Sequence, residues 1–145
     1  MATINSFNVG RDTNVTIVTP AGVLALGLVT TFHASQEKAM LKAIGMDGKV
    51  RHRNNYHGWA GSIGVNRQDS VVDDYFAKLE ADFYATGATE ATSSITQTVT
   101  ELNGAVSQYR YTGVLFMYDD AGTWAGDAEV KLSISFVAET RVKVA

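Results

Sequence analysis

The chain has 145 residues, a formal net charge of −3 and no cysteine. This length is typical of one domain with its own core, and the lack of cysteine excludes disulfides, thiolate chemistry and sulfur-ligated zinc. Scattered basic residues in a slightly acidic chain argue against a dedicated nucleic-acid binder. No apolar run is long enough for a membrane-spanning helix and no secretory signal is visible, so we expect neither membrane insertion nor secretion.

The first quarter of the chain predicts an arm followed by strands. Residues 1–13 lack periodicity, and we expect them to form an N-terminal arm. The stretch 14–19 alternates and is rich in β-branched residues, which predicts a strand, and a turn is predicted at 20–22. From Val23 to Phe32 bulky apolar residues alternate with small ones, mostly apolar. This pattern predicts one continuous strand that is covered on both faces.

The next segment predicts a projecting hairpin. Residues 38–46 are compatible with a strand, and Asp47-Gly48 is a strong signal for a two-residue hairpin turn. Asn54 to Gly58 is polar and is predicted to be loop, before strand character resumes at 59–66. We therefore expect 47–58 to project from the sheet.

One helix is predicted, at residues 70–86. Four apolar residues recur at helical spacing and form a single stripe: Val72, Phe76, Leu79 and Phe83. Ser70 is a suitable N-cap, and Gly87 is a natural stop after the last turn. Because burial of this stripe does not offset the entropy of ordering the helix, the helix must pack on a sheet.

Three strands are predicted after the helix, at 92–102, 105–118 and 128–138. Asn103-Gly104 between the first two predicts a type I′ turn, and a turn at 119–122 precedes the third. The third strand alternates cleanly between apolar and polar residues. The predicted fold class is α+β: mainly an antiparallel β-sandwich or partial barrel with one packed α-helix, forming a single domain over 1–145.

The residues predict no catalytic site, no metal site and no cofactor. His52 and His57 share a polar segment with Arg51 and Arg53, and neighbouring positive charge discourages metal binding. His33 is expected at the boundary of a strand. The paired carboxylates at 73–74 are explained by a helix N-terminus and would not converge on one site. No enzymatic activity is therefore expected.

One basic cluster stands out, at Lys49, Arg51 and Arg53, with Tyr56 and Trp59 nearby. It could contact nucleic acid through phosphates and stacking. The alternative is an interaction loop that meets an acidic patch on another protein. The second interpretation is favoured, because the cluster is short and isolated in an acidic chain.

Two stretches of the sequence resemble the tail tube proteins of contractile-tailed bacteriophages and their prophage relatives. One runs from His57 to Val65 and on into the helix 71–85, and the other is the turn 122–127 that leads into 129–138. The resemblance implies a structural virion protein, a tail tube subunit that self-assembles into stacked hexameric rings. The rings would form a hollow conduit for DNA passage into the host. It also implies assembly in the host bacterial cytoplasm and location in the virion tail.

In such a family the strands of each subunit join an oligomeric β-barrel around a wide aqueous lumen. Hydroxyls and carboxylates let DNA pass, whereas lysine and arginine would hold its phosphates. The lumen-facing candidates are Thr96, Thr98, Thr100, Glu129, Ser133 and Ser135. The ring-stacking candidates are Lys49, Arg51, Arg53, Tyr56, Ile4 and Phe7. The implied partners are further copies of the chain, tail sheath, baseplate and tail terminator proteins, and phage DNA passing non-specifically through the lumen.

Other interpretations stay open at this point. The chain could be a monomeric β-sandwich binding module, another tail component such as a terminator or adhesin, or a pyocin or secretion-system tube subunit. Assembly is favoured by the predicted hairpin of 92–102 with 105–118, because a hairpin that long needs neighbours to cover its edges.

Overall fold

The structure, a computed structural model, describes residues 7–87 and 89–144. That part of the chain contains a short 3-10 turn (Gly10–Asp12), eight strands and one α-helix, α1 (Val71–Thr86). The strands are β1 (Thr13–Thr19), β2 (Gly22–Leu24), β3 (Leu28–Ile44), β4 (Val50–Asn66), β5 (Ser93–Thr100), β6 (Val106–Asp120), β7 (Lys131–Ala138) and β8 (Thr140–Lys143). All the strand pairings described are antiparallel, so the α+β prediction is confirmed.

The strands form one sheet in the order β2-β1-β5-β6-β7-β4-β3, with β8 also paired to β6. Strand β6 belongs to both halves of this sheet. Up to Val114 it pairs with β5 and β8, and from Leu115 onward it pairs with β7. The sheet folds over along β6, so that its two halves face each other across the core, while β2 and β3 remain at its two ends.

Aromatic side chains join the two halves of the sheet. Tyr111 in the first half of β6 meets three rings edge-on, those of Phe32, Trp59 and Phe136, at centroid distances of 6.0, 5.9 and 5.8 Å. Phe32 and Phe136 stack on each other at 5.8 Å. Edge-to-face contacts of this kind stabilise a core beyond the burial of their area. The core of the protein therefore lies between the halves, at the level of Tyr111.

Strand β7 confirms the alternation predicted for 128–138. Leu132, Ile134 and Phe136 are buried, whereas Ser133 and Ser135 between them are half-buried on the opposite face. A strand with one face on a core must keep this period of two, because a slip of one residue would invert it.

The continuous strand predicted from Val23 to Phe32 is interrupted instead. The chain leaves β2 after Leu24 and starts β3 at Leu28, and between them Gly27 adopts a left-handed φ of 83°. Leu24 is buried, but Leu28 and Val23 are exposed, so the segment is not covered on both faces. The alternation of leucines continues through the break, and this is why the sequence pattern did not reveal it.

The Asp47-Gly48 turn has three residues rather than the predicted two. The Gly45 N–H donates to the Lys49 carbonyl at 2.9 Å, and Gly48 adopts a φ of 79°. No described residue other than glycine has a positive φ, and a type I′ turn would require one at Asp47. The Asp47 carboxylate instead accepts the Lys49 N–H at 3.0 Å, which stabilises the longer turn.

The Asn103-Gly104 turn departs from its type I′ prediction in the same way. The Glu101 N–H donates to the Ala105 carbonyl at 2.8 Å, and Gly104 takes the left-handed position with a φ of 88°. The Asn103 side-chain oxygen accepts the Ala105 N–H at 3.0 Å. Strand β6 then runs through Asp120, so the turn predicted at 119–122 is replaced by the longer connection 121–130.

The helix predicted at 70–86 is confirmed, although Ser70 does not cap its first turn as expected. The Ser70 hydroxyl makes no capping bond to the backbone and donates to Asp74 Oδ2 at 3.0 Å. Asp69 Oδ1 instead accepts the Val71 N–H at 3.1 Å. The chain leaves the helix as expected, through a left-handed Gly87.

Burial of the apolar stripe fades along α1. Val72 is buried, Phe76 and Leu79 are half-buried, and Phe83 is exposed. The helix therefore rests on the sheet mainly through its N-terminal half. Within the described ranges no helix has the length and hydropathy that crossing a bilayer requires.

Candidate assembly surface

The outer hairpin, defined as Lys38–Tyr56, consists of the far ends of β3 and β4 and the turn between them. Strand β4 pairs with β7 only from Trp59 to Asn66, so the outer hairpin is a ribbon of two strands paired with each other. Its seven residue pairs make it roughly 20 Å long at about 3.4 Å per residue. The projection at 47–58 is therefore longer than predicted, and Asn54–Gly58 is strand rather than loop.

The ribbon has two chemically different faces, because directly opposed residues in an antiparallel pair share a side. The methionine face combines apolar and basic side chains: Lys38, Met40, Lys42, Ile44, Val50, His52, Asn54 and Tyr56. The arginine face carries small and cationic side chains: Ala39, Leu41, Ala43, Arg51, Arg53 and Asn55. On the methionine face Met40, Ile44 and Tyr56 are 64%, 66% and 68% exposed. An isolated chain leaves these apolar side chains in water.

The ring-stacking candidates are divided between these surfaces. Arg51 and Arg53 lie on the arginine face, Tyr56 lies on the methionine face, and Lys49 lies beside the turn. Arg51 pairs with Asp47 at 3.0 Å, and this hydrogen bond lowers the pKa of the Asp47 carboxyl. Arg53 makes no ion pair with any described residue.

Of the two N-terminal candidates, Phe7 lies away from the outer hairpin. Ile4 lies outside the described residues. Phe7 is exposed, and the next side chain, Asn8, donates to the Thr100 carbonyl at 3.3 Å. This contact places Phe7 close to the end of β5, beside the turn that leads into β6.

Charge is distributed very unevenly between the outer hairpin and the rest of the chain. The hairpin holds five of the 12 Lys and Arg residues and one of the 15 Asp and Glu residues. A chain of net charge −3 therefore consists of a hairpin at +4 and a remainder at −7. The prediction of one short cluster at 49–53 missed Lys38 and Lys42, which lie on the opposing strand.

The lumen-facing candidates do not form one continuous surface in the isolated chain. Thr96, Thr98 and Thr100 share the outer face of β5, which pairs with the first half of β6. Ser133 and Ser135 lie on the outer face of β7, which pairs with the second half.

Cations accompany both sets of lumen-facing candidates. Arg110 lies directly opposite Thr96 and is exposed. Glu129 precedes β7 and pairs with Lys131 at 3.4 Å, which places a positive charge among the hydroxyls there too.

The histidines occupy exposed strand positions. His33 lies well inside β3 rather than at a strand boundary, and His52 and His57 are in β4. Within the described ranges no group of three His, Cys, Asp or Glu residues is placed to hold a metal ion.

Sequence reasoning missed a polar network that attaches α1 to the sheet. Asp73 accepts hydrogen bonds from the Tyr118 hydroxyl at 2.5 Å and from Arg67 Nε at 2.9 Å. These bonds lower the pKa of the Asp73 carboxyl, while burial and the bond to Asp73 raise the pKa of Tyr118. Phe76 stacks on the Tyr118 ring at 4.6 Å. Asp73 and Tyr118 are 45 residues apart, so no local pattern signals the contact.

No protein-family model matches the chain, and a comparison with curated proteins found no match. Its fold, however, is shared with solved structures of contractile particles. Against a chain of the sheath/tube terminator of an extracellular contractile injection system (PVC), in the extended state, the TM-score is 0.67 at 7% identity. That match covers 99% of this chain and 100% of that one.

Two further solved structures share this fold. A chain of the tube-terminating cap of the anti-feeding prophage gives a TM-score of 0.64 at 6% identity and covers 99% of this chain and 95% of that one. A chain of the PVC sheath-tube complex gives a TM-score of 0.64 at 6% identity and covers 90% of this chain and 88% of that one. At such identities the likeness shows a common fold. The fold of this chain is thus one found in components of phage-tail-like particles.

Proposed function

We propose that this chain is a structural subunit of the tube of a phage-tail-like particle, assembling into stacked hexameric rings around a hollow channel. The outer hairpin is the observation that carries the proposal. A two-stranded ribbon is at best marginally stable in water, and this one also exposes Met40, Ile44 and Tyr56. Contact with another subunit would remove these side chains from water and hold the ribbon in place.

The ends of the sheet support head-to-tail assembly. Strand β3 has 17 residues and pairs with no described strand on its outer side, and β2 occupies the opposite end of the sheet. Unpaired edges of this kind are ready to pair with another chain. If each copy extends the sheet of its neighbour, a closed ring results when the rotation between copies closes, as six-fold symmetry requires.

The shared fold supports the kind of particle to which we assign this chain. Similarity to chains of terminator, cap and sheath-tube complexes favours a place in the tail of a virion or a related particle. The partners are then further copies of this chain, together with sheath, baseplate and terminator proteins. DNA would pass non-specifically through the channel, and assembly would take place in the cytoplasm of the bacterial host.

A tube terminator is the second candidate, favoured by one specific observation. The terminator and cap structures match over 99% of this chain, whereas the sheath-tube complex matches over 90%. The two functions differ in growth: a tube subunit adds ring upon ring, while a terminator forms a single ring that stops growth.

Negative-stain electron microscopy of the purified chain, with light scattering, distinguishes them. We expect hollow tubes whose length increases with protein concentration. Uniform single rings that never stack would overturn the tube proposal in favour of a terminator. A monomer that persists at high concentration would overturn both candidates.

A charge-reversal variant tests the role of the outer hairpin. Arg51→Glu combined with Arg53→Glu should shorten or abolish tubes, because it lowers the charge of the hairpin from +4 to 0 and removes its attraction to the remainder of a neighbouring copy, which carries −7. Arg11→Glu combined with Lys143→Glu is the matched control, with the same change in net charge outside the hairpin. Circular dichroism should be unchanged in both; unfolding of the first variant would show that the hairpin supports the fold itself.

A further inference from the structure

A groove about 420 Å³ in volume lies between α1 and β6. Its apolar floor is formed by Phe76, Leu79 and Phe83 from the helix and by Leu115 and Phe116 from the strand. Phe83 is 55% exposed, although its neighbour Phe116 is buried. The groove therefore offers an apolar surface that the isolated chain leaves in contact with water.

Two carboxylates, Glu80 and Glu90, stand at the edges of this groove. Partial desolvation raises the pKa of Glu90, although its side chain remains exposed. Neither Glu80 nor Glu90 forms an ion pair with a described residue. A cation placed beside them would compensate for this loss of hydration. The groove thus suits an apolar group with an adjacent positive charge, and it repels phosphate.

The tip of the outer hairpin has this chemistry. Ile44, Met46 and Val50 are exposed apolar side chains around the turn, and Met46 is fully exposed. Lys49 lies between Met46 and Val50 and has no ion-pair partner among the described residues. The tip therefore combines an apolar group with a free cation, within a hairpin of charge +4.

We propose that the hairpin tip of one copy docks in the α1–β6 groove of a copy in the adjacent ring. Met46 and its apolar neighbours cover the floor, and Lys49 pairs with Glu90 or Glu80. The inference deepens the proposed function and rests on it, since it names the acceptor surface for ring stacking. Charge complementarity between hairpin and body selects a second copy of this chain as the occupant.

Disulfide cross-linking tests the contact directly, because the chain has no cysteine of its own. Met46→Cys places one thiol on the tip, and Thr89→Cys places another at the groove while leaving its floor and both carboxylates intact. Mixed in equal amounts, assembled and mildly oxidised, the two variants should give a cross-linked dimer on a non-reducing gel. Asn103→Cys, at the tip of the β5–β6 hairpin, replaces Thr89→Cys in the matched control and should give at least fivefold less dimer.

The failures of the two proposals can be told apart in the same samples by microscopy. Tubes that form without a Met46→Cys to Thr89→Cys cross-link would overturn the docking inference alone. The same holds if the Thr89→Cys thiol still reacts with a maleimide inside assembled tubes, because the groove is then left for another protein such as a sheath subunit. Absence of any assembly in the unmodified chain would overturn the proposed function as well.

Charge exchange provides a test that needs no oxidation. Lys49→Glu should raise the protein concentration needed for assembly by roughly tenfold, because it places a like charge beside Glu90 and Glu80. Combining Lys49→Glu with Glu90→Lys should restore most of that loss. Glu101→Lys, a surface carboxylate outside the groove, replaces Glu90→Lys in the control. Equal rescue by the two lysine substitutions would overturn the inference, since it would reflect net charge alone.

Discussion

The inner and outer halves of the β3–β4 hairpin share one antiparallel ladder but differ in what surrounds them. The inner half, 28–37 with 58–66, lies beside β7 and places Phe32, Ile63 and Val65 against the core. The outer half, the outer hairpin, has no third strand among residues 7–87 and 89–144, and it exposes its apolar side chains. Both halves are antiparallel, and the register shifts between Glu37 and Lys38, where they meet. The difference shows that burial, and not strand pairing, separates the half that belongs to the core from the half that stays in contact with water.

Substitution in the inner region should have the largest effect on stability. Phe136 is 1% exposed and contacts Phe32 and Tyr111 across the core. Phe136→Ala should lower the free energy of unfolding by about 3–5 kcal/mol, as is typical when a buried aromatic ring is removed. Urea denaturation followed by circular dichroism measures the change. Met46→Ala, at the tip of the outer hairpin, is the control and should stay within about 0.5 kcal/mol of the unmodified chain.

For the methionine face we expect a large effect on assembly and a small effect on the free energy of unfolding. Met40→Asp combined with Ile44→Asp should abolish assembly, because a charged side chain would have to be buried without a partner at the interface. The free energy of unfolding of the monomer should change by less than about 1 kcal/mol, since both sites are exposed. Light scattering reports assembly and urea denaturation reports stability. If the double variant assembles normally, the methionine face is not an interface.

The smallest effect is expected at the attachment of α1, which lies outside the β3–β4 hairpin and is partly exposed. Asp73→Asn should cost about 1 kcal/mol at pH 7, because the Tyr118 and Arg67 hydrogen bonds lose a charged acceptor. The pKa of Asp73 is lowered in the folded chain. Its contribution is therefore present above the unfolded pKa of about 3.8 and is lost as the pH falls through the folded value.

Urea denaturation at pH 7 and at pH 3 measures this dependence. The difference in the free energy of unfolding between the unmodified chain and Asp73→Asn should be smaller at pH 3 than at pH 7. Asp74→Asn is the matched control, since the carboxylate of Asp74 is exposed and bonds only to Ser70 among its described contacts. A difference between the unmodified chain and Asp73→Asn that is the same at both pH values would show that the network does not depend on the charge of Asp73.

The sequence predicted those elements in which one face is buried. The alternation in β7 and the stripe on α1 are imposed by the core, so both appear as periodic patterns. Where no face is buried, no period is imposed, and the polar composition of Asn54–Gly58 therefore predicts a loop although the segment is strand. The break at Gly27 was hidden for the opposite reason, because the leucine pattern continues on both sides of it.

The candidate site was predictable only in part. The cations at 49–53 identify the turn side of the outer hairpin, but the contribution of Met40 and Ile44 depends on which residues lie opposite each other. Register across a hairpin follows from the length of its turn, and the turn has three residues instead of two. The groove between α1 and β6 combines residues far apart in the chain, and no local pattern identifies it.

Helix α1 is attached to the sheet mainly at its N-terminal end, and this determines which of its turns unfolds locally first. Its first turn is tied to β6 through Asp73 and Tyr118, while Phe83 and Tyr84 near its end are exposed. Local opening costs least where few contacts are lost. We therefore expect amide hydrogens in the last two turns to exchange with deuterium well before those around Phe76, and this gradient should flatten once the C-terminal half of the helix is covered in an assembled tube.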